Sequence, residues 1–296
     1  MIRFAHISLK DFIKKHNPQE PKRETIENFE KEINSSLENA PRQDDEEFQK
    51  NEINKFLKNA YVYDCNTSKK VDSAIYVDGE VQVLIEVKAL NNKTEFPKNR
   101  ENPLSKAFCQ MVLYFLKETE ENNSLKHAII CNVHEFFLFD CKDFCTLFQN
   151  DERITKLHKY CAKKEGTDPS TKRFYSDLEE YLKKDFEGEL RYTHFNLSSY
   201  DPKELPLIYQ VLSQEVLLKQ KRTLDANTLN KDFYEELLYI LGLEEQNDKG
   251  KILIKPSRTE NSLSAALKAS YKDLDDEEVM ALLIAWGITA SCFYGF

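Results

Sequence analysis

Three residues of one short stretch have side chains that could hydrolyse a phosphate ester together. Asp72, Glu86 and Lys88 follow the pattern Asp-x13-Glu-x-Lys. Two carboxylates and one exposed backbone carbonyl, for which Val87 is the candidate, are the hard oxygen ligands that Mg²⁺ or Mn²⁺ prefers. Lys88 follows Glu86 by two residues, so on a strand both side chains project from the same face. The spacing therefore predicts a metal site with a lysine beside it that can reach a water molecule or a phosphate.

Residues 70–88 read as two β-strands around an Asp-Gly turn, because both arms are rich in Val and Ile. A three-residue loop, Asp78-Gly79-Glu80, is one of the common hairpin connections. With this loop Val77 faces Val81, and the pairing continues until Asp72 lies opposite Glu86. A two-residue loop would shift the register by one and send the two carboxylates to opposite faces. The apolar pattern thus favours the register that brings the carboxylates together.

The same register gives the hairpin one apolar side and one polar side, on which Lys70 lies opposite Lys88. Like charges that face each other on a sheet are destabilising, and a bound cation would explain why two carboxylates do so. The alternative is a hairpin with one solvated face, where Asp, Glu and Lys are expected anyway. Because Lys88 stands at a strand end on the polar side, Lys88→Ala is expected to change stability by no more than about 0.5 kcal/mol.

Composition narrows the class of protein. The 296 residues are 41% hydrophobic and 31% charged, with net charge -9 and mean hydropathy -0.62. They can form a sizeable core in one large or two ordinary domains. The negative charge excludes a generally basic nucleic-acid binder, but a local phosphate-binding groove remains compatible with it. Seven cysteines without a CxxC pair indicate reduced thiols and a cytoplasmic protein.

Glycine is scarce, with 7 residues and no GxG sequence. This excludes the P-loop, the dinucleotide-binding fingerprint and the glycine-rich loop of methyltransferases. The N-terminus lacks the apolar run of a signal peptide. The uncharged stretch 279–296 is just long enough for a membrane span, but it has no basic flank. We expect this stretch to form a helix that is buried against another protein surface, and we therefore expect no membrane partner. The alternative is a membrane tail anchor.

Helices are predicted over residues 24–38 and 44–60 from apolar residues at helical spacing. Glu46 could reach the metal site from the second of these helices, although acidic residues in a first helical turn are usually there for the helix dipole. After the hairpin, the polar loop 91–101 carries Lys93, Lys98 and Arg100. Exposed cations usually serve only solvation, but these three are placed to contact a phosphate backbone.

A buried helix is predicted over residues 103–117, with Asn102 as its cap and Pro103 in first position. Ala107, Gln110 and Tyr114 share one of its faces. A buried Gln must be hydrogen-bonded, and packing against the Asp72, Glu86 and Lys88 face would satisfy Gln110.

Three further strands are predicted over residues 127–133, 135–140 and 190–197. His194 in the last of them is expected to be a packed residue rather than a general base. Charged helical segments fill residues 150–189. From residue 202 onward the sequence reads as helical, with a helix over 228–241 that stops at Gly242. We place the domain boundary near residue 200, so that residues 1–200 and 201–296 form two domains.

Taken in order, Asp72, Glu86-Val87-Lys88, the Gln110-x3-Tyr114 helix and a strand pair resemble RecB-like members of the PD-(D/E)XK nuclease superfamily. The usual Pro before the Asp is replaced by Val71. The wider run resembles the N-terminal half of type IIG restriction-modification enzymes over roughly residues 24–262. The segments that carry this resemblance are EEFQKNEINKFL at 46–57, ICNVHEFFLFD at 130–140, THFNLSSY at 193–200 and NTLNKDFYEELLYILGL at 227–243.

The resemblance implies an α/β fold, with a restriction-endonuclease-like mixed sheet flanked by helices and a smaller helical connector domain behind it. It also implies an Mg²⁺- or Mn²⁺-dependent endonuclease acting on double-stranded DNA, in which Asp72, Glu86, Lys88 and Gln110 are catalytic. Asp72, Glu86 and the Val87 carbonyl would hold the metal. Cleavage of both strands would call for a second copy of the chain.

The sequence has no Asn/Asp-Pro-Pro-Tyr/Phe tetrapeptide, so it is not expected to methylate DNA. It reads as the nuclease and connector of a larger enzyme whose methyltransferase and specificity domains lie downstream, or as a truncated relative. We therefore expect weak DNA binding without sequence preference. The alternatives are a catalytically silent DNA-binding or docking module with the same fold, and an unrelated α/β scaffold protein.

Overall fold

The computed structural model describes residues 1–68, 71–161, 168–220, 238–248, 251–256 and 262–285. The chain divides into two compact units, Met1–Lys221 and Arg222–Phe296. The first unit is an α/β domain built on a mixed sheet of seven strands with helices on both faces, as the sequence predicts.

The sheet has the strand order β1-β7-β6-β5-β4-β3-β2. β1 pairs parallel with β7 and β4 pairs parallel with β5, whereas all other neighbours are antiparallel. The strands are β1 Arg3–His6, β2 Asp64–Ser68, β3 Val71–Val77, β4 Glu80–Val87, β5 His127–Cys131, β6 Glu135–Asp140 and β7 Glu189–Asn196. β3 to β7 match the predicted strands, whereas β1 and β2 were not predicted because each is short and largely polar.

Helices cover the two faces of this sheet and form two separate cores. Side chains of successive residues enter opposite cores, so Leu84 lies in one and Ile85 in the other. The central strands are therefore apolar on both sides. One face is covered by α4 Lys106–Glu118, α5 Cys141–Phe144, α6 Glu152–Cys161 and α7 Pro169–Lys184. The other is covered by α1 Leu9–Lys14, α2 Arg23–Asn39, α3 Glu46–Tyr61, α8 Leu205–Val211 and α9 Gln214–Leu217.

The β3–β4 hairpin reaches the predicted register by a different route. Its turn has two residues, Asp78 and Gly79, with φ 52° and 82°, and Val77 pairs with Glu80. The predicted three-residue loop and the Val77–Val81 pair are therefore wrong. A β-bulge at Gln82 then inserts one extra residue, so Ile75 pairs with Val83 and Ser73 with Ile85 as predicted.

The alternative of a hairpin with one solvated face is wrong, because both faces of β4 are covered by helices. Glu86 is 0% exposed and Lys88 is 3% exposed. The cap of α4 differs as well: Ser105, not Asn102, accepts the hydrogen bond from the N–H of Phe108. The predicted burial of this helix is confirmed, since α4 contributes nine buried residues to the unit.

Helices α8 and α9 belong to the first unit, so the predicted boundary near residue 200 lies too early. The hydroxyl of Tyr63, next to β2, donates to the carbonyl of Leu212 at 2.6 Å. The hydroxyl of Tyr61 donates to the carbonyl of Tyr209 at 3.0 Å. Six apolar side chains of these helices and their connection are buried in the second core: Leu205, Ile208, Val211, Leu212, Val216 and Leu217.

Asp140, at the end of β6, joins the beginning and the end of the first unit. Its carboxylate lies 2.7 Å from Lys15 Nζ and 2.6 Å from Lys219 Nζ. Burial tends to raise the pKa of Asp140, but its bonds to the two lysines outweigh burial and hold the pKa well below its usual value. His127, the residue paired with Asp140 across β5 and β6, is fully buried beside this cluster.

The second unit contains a hairpin in addition to its helices, so the prediction of a wholly helical domain is wrong. Strands β8 Leu243–Asp248 and β9 Lys251–Pro256 pair antiparallel, followed by α10 Leu263–Ser270 and α11 Asp276–Ala285. The predicted helix over 228–241 lies largely outside the described residues. Its last turn ends at Leu241, and Gly242 adopts φ 69° as predicted for a helix stop.

Residues 286–296, the larger part of the uncharged C-terminal stretch, lie outside the described residues. Among the helices that the structure describes, none combines the length and the apolar character that crossing a bilayer requires.

We expect a chain that ends at Lys221 to fold, and a chain that ends at Tyr200 not to. The shorter chain loses the six buried side chains of α8 and α9, each of which contributes about 1.5–3 kcal/mol. That loss is comparable to the whole stability of a domain, about 5–15 kcal/mol. Cooperative thermal unfolding and resistance to limited proteolysis measure the outcome. If the chain that ends at Tyr200 unfolds cooperatively, α8 and α9 are not part of the first unit.

We expect His127 to make the first unit less stable in mild acid. Its Nδ1 lies 2.9 Å from the carbonyl oxygen of Leu217, so Nδ1 carries the hydrogen. Burial lowers the pKa of His127 to about 3, whereas the unfolded chain has a pKa of about 6.5. Between these values the unfolded state binds the extra proton, so stability falls as the pH is lowered from about 6.5 towards 3, by at most about 1.4 kcal/mol per pH unit.

Urea unfolding of the full chain and of His127→Asn at pH 7 and pH 5 measures this dependence. The Asn amide can still donate to Leu217 but does not titrate. The variant should be less stable at pH 7 because of the space it leaves, yet it should lose less stability between the two pH values. Equal losses in both proteins would show that His127 does not cause the acid sensitivity.

Candidate functional site

Glu86 and Lys88 lie together at the carboxyl end of β4. Lys88 Nζ is 2.8 Å from Glu86 Oε1, and the N–H of Lys88 donates to the carbonyl of Cys131 at 2.9 Å, which continues the pairing with β5. Both side chains are buried. A buried charge is tolerated only when an opposite charge or hydrogen bonds compensate it, so this pair is a mutually dependent feature of the core.

Two further carboxylates converge on the same ammonium. Glu46, the first residue of α3, places Oε1 3.1 Å from Lys88 Nζ. Glu95, in the loop after β4, places Oε2 3.9 Å from it and also forms an ion pair with Lys106, the first residue of α4. Burial tends to raise the pKa of Glu95, but Lys106 and Lys88 outweigh burial and hold it below the usual value. The site therefore combines acidic groups from a helix, a strand and a loop.

Gln49 holds the helix that carries Glu46 against the loop that follows Lys88. Its side chain is fully buried, and its Oε1 accepts a 2.8 Å hydrogen bond from the N–H of Leu90. Asp45 caps the same helix by accepting from the N–H of Phe48 at 2.7 Å. These two bonds fix the position of Glu46 relative to the end of β4.

Asp72 and Val87 stand at the strand positions that the sequence predicts. Asp72 lies in β3, but its side chain, like residue Lys70, falls outside the described part of the structure. Val87 ends β4 with its side chain in the second core. The predicted roles of Asp72 and of the Val87 carbonyl as metal ligands remain predictions.

Gln110 and Tyr114 lie on α4, which packs over β4 and β5. Gln110 Oε1 is buried and has no hydrogen-bond partner among the described residues, so the hydrogen bonding predicted for this amide is not seen on its oxygen. Tyr175 of α7 places its hydroxyl beside Tyr114. Burial raises the pKa of Tyr175, and the negative charge of Glu86 acts in the same direction, so this phenol stays protonated.

The three cations predicted to contact DNA differ in their surroundings. Lys93 and Lys98 are exposed and line a groove beside the loop that follows β4. Arg100 is committed to Glu135, with its Nε and Nη2 3.0 and 2.7 Å from Oε1. His194 packs against Phe137, with ring centroids 4.5 Å apart, as predicted for a packed residue.

Sequence reasoning did not select two members of the cluster. Glu46 was considered as a further metal contact, but the helix-dipole role was preferred because its first-turn position has that ordinary explanation. Glu95 stands in a loop that was read only for its cations, and no spacing rule links it to Lys88. The one available signal was Gln49, a polar residue on the apolar stripe of α3.

The donor set suits a divalent cation in its chemistry but is incomplete in the described structure. Carboxylate oxygens are the ligands that Mg²⁺ and Mn²⁺ take, and Glu86 and Glu46 both approach one point. Among the residues described, however, no group of three His, Cys, Asp or Glu side chains is arranged to hold a metal. A metal would therefore need Asp72 or backbone and water oxygens as additional ligands.

Comparison with known proteins finds two families, both without a known function. Residues 226–285 match one of them, Domain of unknown function (DUF7814). No curated protein matches the chain. No solved structure matches it either. Residues 7–225 match Domain of unknown function (DUF7149), and because this match spans most of the chain, the protein belongs to the DUF7149 family.

Proposed function

We propose that the first unit is a metal-dependent DNA endonuclease and that Glu86 and Lys88 lie at its active centre. The observation that supports this most is the convergence of Glu86 and Glu46 on Lys88 Nζ, at 2.8 and 3.1 Å. These groups meet at the end of a central strand of a mixed sheet, as the resemblance to PD-(D/E)XK nucleases implies. Clusters of buried ionisable groups are typical of functional sites.

The register of the hairpin supports a second carboxylate at this centre. Ser73 pairs with Ile85, and the same pairing continued by one residue sets Asp72 opposite Glu86. Asp72, Glu86 and the Val87 carbonyl would then hold Mg²⁺ or Mn²⁺, with Glu46 as a further contact. Such an ion, when bound, polarises the scissile phosphate and lowers the pKa of a bound water.

The chain's own residues account for the other requirements of phosphodiester hydrolysis. The Lys88 ammonium orients the attacking water and stabilises the negative charge that develops on the phosphate. Gln110 contributes its unpartnered Oε1 to hold Lys88 or the water in place. Glu95 and Lys106 balance the charge at the rim of the site. The substrate is double-stranded DNA. Binding is weak because the chain carries net charge -9, and it has no sequence preference because the sequence shows no recognisable specificity region.

A second candidate is a catalytically silent DNA-binding module with the same fold. It is favoured by one observation, that Lys88 already compensates the carboxylates in the structure. In that case the ammonium would serve as a permanent structural cation, and the cluster would stabilise the fold without metal. The two candidates differ in their response to metal ions and in the consequence of removing Lys88.

Mn²⁺ should raise the melting temperature of the wild-type protein, because an ion that binds only the folded state stabilises it. At 100 times its dissociation constant the expected gain is about 2.7 kcal/mol. Glu86→Gln should abolish the shift, and so should Asp72→Asn. The control Glu27→Gln, which removes an exposed carboxylate paired with Arg23, should retain it. Thermal shift with and without Mn²⁺ is the measurement, and equal shifts in all four proteins would exclude the carboxylate cluster as a metal site.

Lys88→Met should abolish cleavage and lower stability in the absence of metal, in contrast to the near-neutral effect expected for a solvated lysine. Removing one partner of a buried ion pair costs about 3–5 kcal/mol. Mn²⁺ should recover more stability in this variant than in the wild type, since it supplies the missing positive charge. The control is Lys159→Met, at an exposed position of α6.

The cleavage assay uses several long DNAs with and without Mg²⁺ or Mn²⁺ and compares the wild type with Asp72→Ala and Lys88→Met. Only the wild type with metal should cut. Cutting by Lys88→Met at the wild-type rate would contradict the assignment. A wild type that binds DNA but never cuts it would favour the silent module.

A further inference from the structure

A groove of about 550 Å³ lies beside the carboxylate cluster. One wall is the loop that follows β4, from Leu90 to Lys98, and the opposite wall is the connection between β5 and β6 together with Asn196. Only this loop separates the groove from the cluster. Glu95 points from the loop to Lys88, whereas the residues on either side of Glu95 line the groove. A ligand in the groove would therefore lie next to the proposed reaction centre.

The amide side chains of the groove present hydrogen-bond donors. Asn132 Oδ1 accepts from the N–H groups of His134 and Glu135 at 2.8 and 2.7 Å. Asn92 Oδ1 accepts from the N–H of Glu95 at 3.3 Å. Since a backbone N–H can only donate, these bonds fix which end of each amide is the oxygen. The Nδ2 groups of both residues make no hydrogen bond to the described residues, so they can donate to a ligand.

The charge of the groove favours an anion. Lys93 and Lys98 form no ion pair with any residue that the structure describes, and both are exposed at the rim. Among the described residues that line the groove, the one carboxylate is that of Glu135, which is bound by Arg100 at 2.7 Å and by Asn196 Nδ2 at 3.1 Å. Contact with His194 lowers the pKa of Glu135 to about 2, with Arg100 acting in the same direction against burial. Its negative charge is thus compensated from within the protein.

Part of the groove lining is apolar. Leu90, Phe96 and Pro97 belong to it, and Phe96 packs edge-on against Phe137 with centroids 5.8 Å apart. The volume lies within the roughly 300–1,000 Å³ of pockets that hold organic ligands, so it exceeds what a phosphate ion fills. A ligand that matches the apolar lining and the two lysines at the rim carries a flat apolar group and an anionic group. A nucleotide has both.

We propose that this groove binds one unpaired nucleotide of the strand that the neighbouring site cleaves. The inference rests on the proposed endonuclease function and adds the form of its substrate. The faces of a paired base are covered by its neighbours in the stack, so a base can reach the apolar part of the lining only after it leaves the duplex. Lys93 and Lys98 bind the phosphate of that nucleotide, and the two asparagines bind its base or sugar. The free energy needed to move a base out of the stack is lowest where the base is already unpaired.

The test compares three DNA duplexes of the same length: a fully paired duplex, one with a single bulged adenosine, and one with a bulged abasic nucleotide. The bulge fixes where the protein binds, so that fluorescence anisotropy in EDTA gives the affinity for each duplex. Cleavage with Mn²⁺, mapped on both strands, gives the position of the cut. The variants are Lys93→Gln/Lys98→Gln and, as a control of equal charge loss, Lys159→Gln/Lys172→Gln at exposed positions of α6 and α7.

The wild type should bind the bulged adenosine more tightly than both other duplexes and cut the bulged strand beside it. The groove variant should lose this preference, and the control should keep it. Three results would each overturn the inference: equal affinity for all three duplexes, equal affinity for the two bulged duplexes, or a preference that the groove variant retains. In each case, cleavage of paired DNA would still support the endonuclease. Absence of cleavage on every DNA would overturn the proposed function, and the nucleotide groove with it.

Discussion

The buried charge of Glu86 is the constraint on which this end of the sheet depends. Its carboxylate lies in a sheet whose two faces are both covered by helices, so solvent does not stabilise it. An uncompensated charge there would cost several kcal/mol, and Lys88 supplies the compensation at 2.8 Å. Glu46 of helix α3 and Glu95 of the loop after β4 approach the same ammonium, at 3.1 and 3.9 Å. A helix, a strand and a loop thus meet at one buried lysine.

The hairpin shows how much of the fold could be read from sequence. Alternation of Val and Ile identified β3 and β4, and the apolar pattern gave the pairing of Ser73 with Ile85. The turn itself could not be deduced, because a two-residue turn followed by a bulge at Gln82 has the same net register as a three-residue loop. Local propensity does not distinguish the two, and the choice depends on packing at both faces.

Burial and long-range partners explain why the candidate site was only partly predictable. The spacing of Asp72, Glu86 and Lys88 follows from strand periodicity, which is local. Whether a face is solvated depends on helices that are distant in sequence, such as α7, and the sequence pattern of β4 alone suggested an exposed polar side. Glu46 and Glu95 reach Lys88 from 42 residues before it and from a loop, and no periodicity encodes such contacts. The boundary of the unit was missed for a similar reason, since α8 and α9 pack on strands formed much earlier in the chain.

The pairing of β1 with β7 and the sharing of Asp140 by Lys15 and Lys219 have a consequence for synthesis of the chain. The first strand leaves the ribosome early, but its partner strand and the second lysine are made only near the end of the unit. Contacts between such distant segments slow folding, because the chain must be closed into a large loop before they form. Until β7 is made, β1 and one edge of β6 have no partner strand, and exposed edges of this kind favour association between chains. Among the described strands, β1 therefore waits longest for its partner strand.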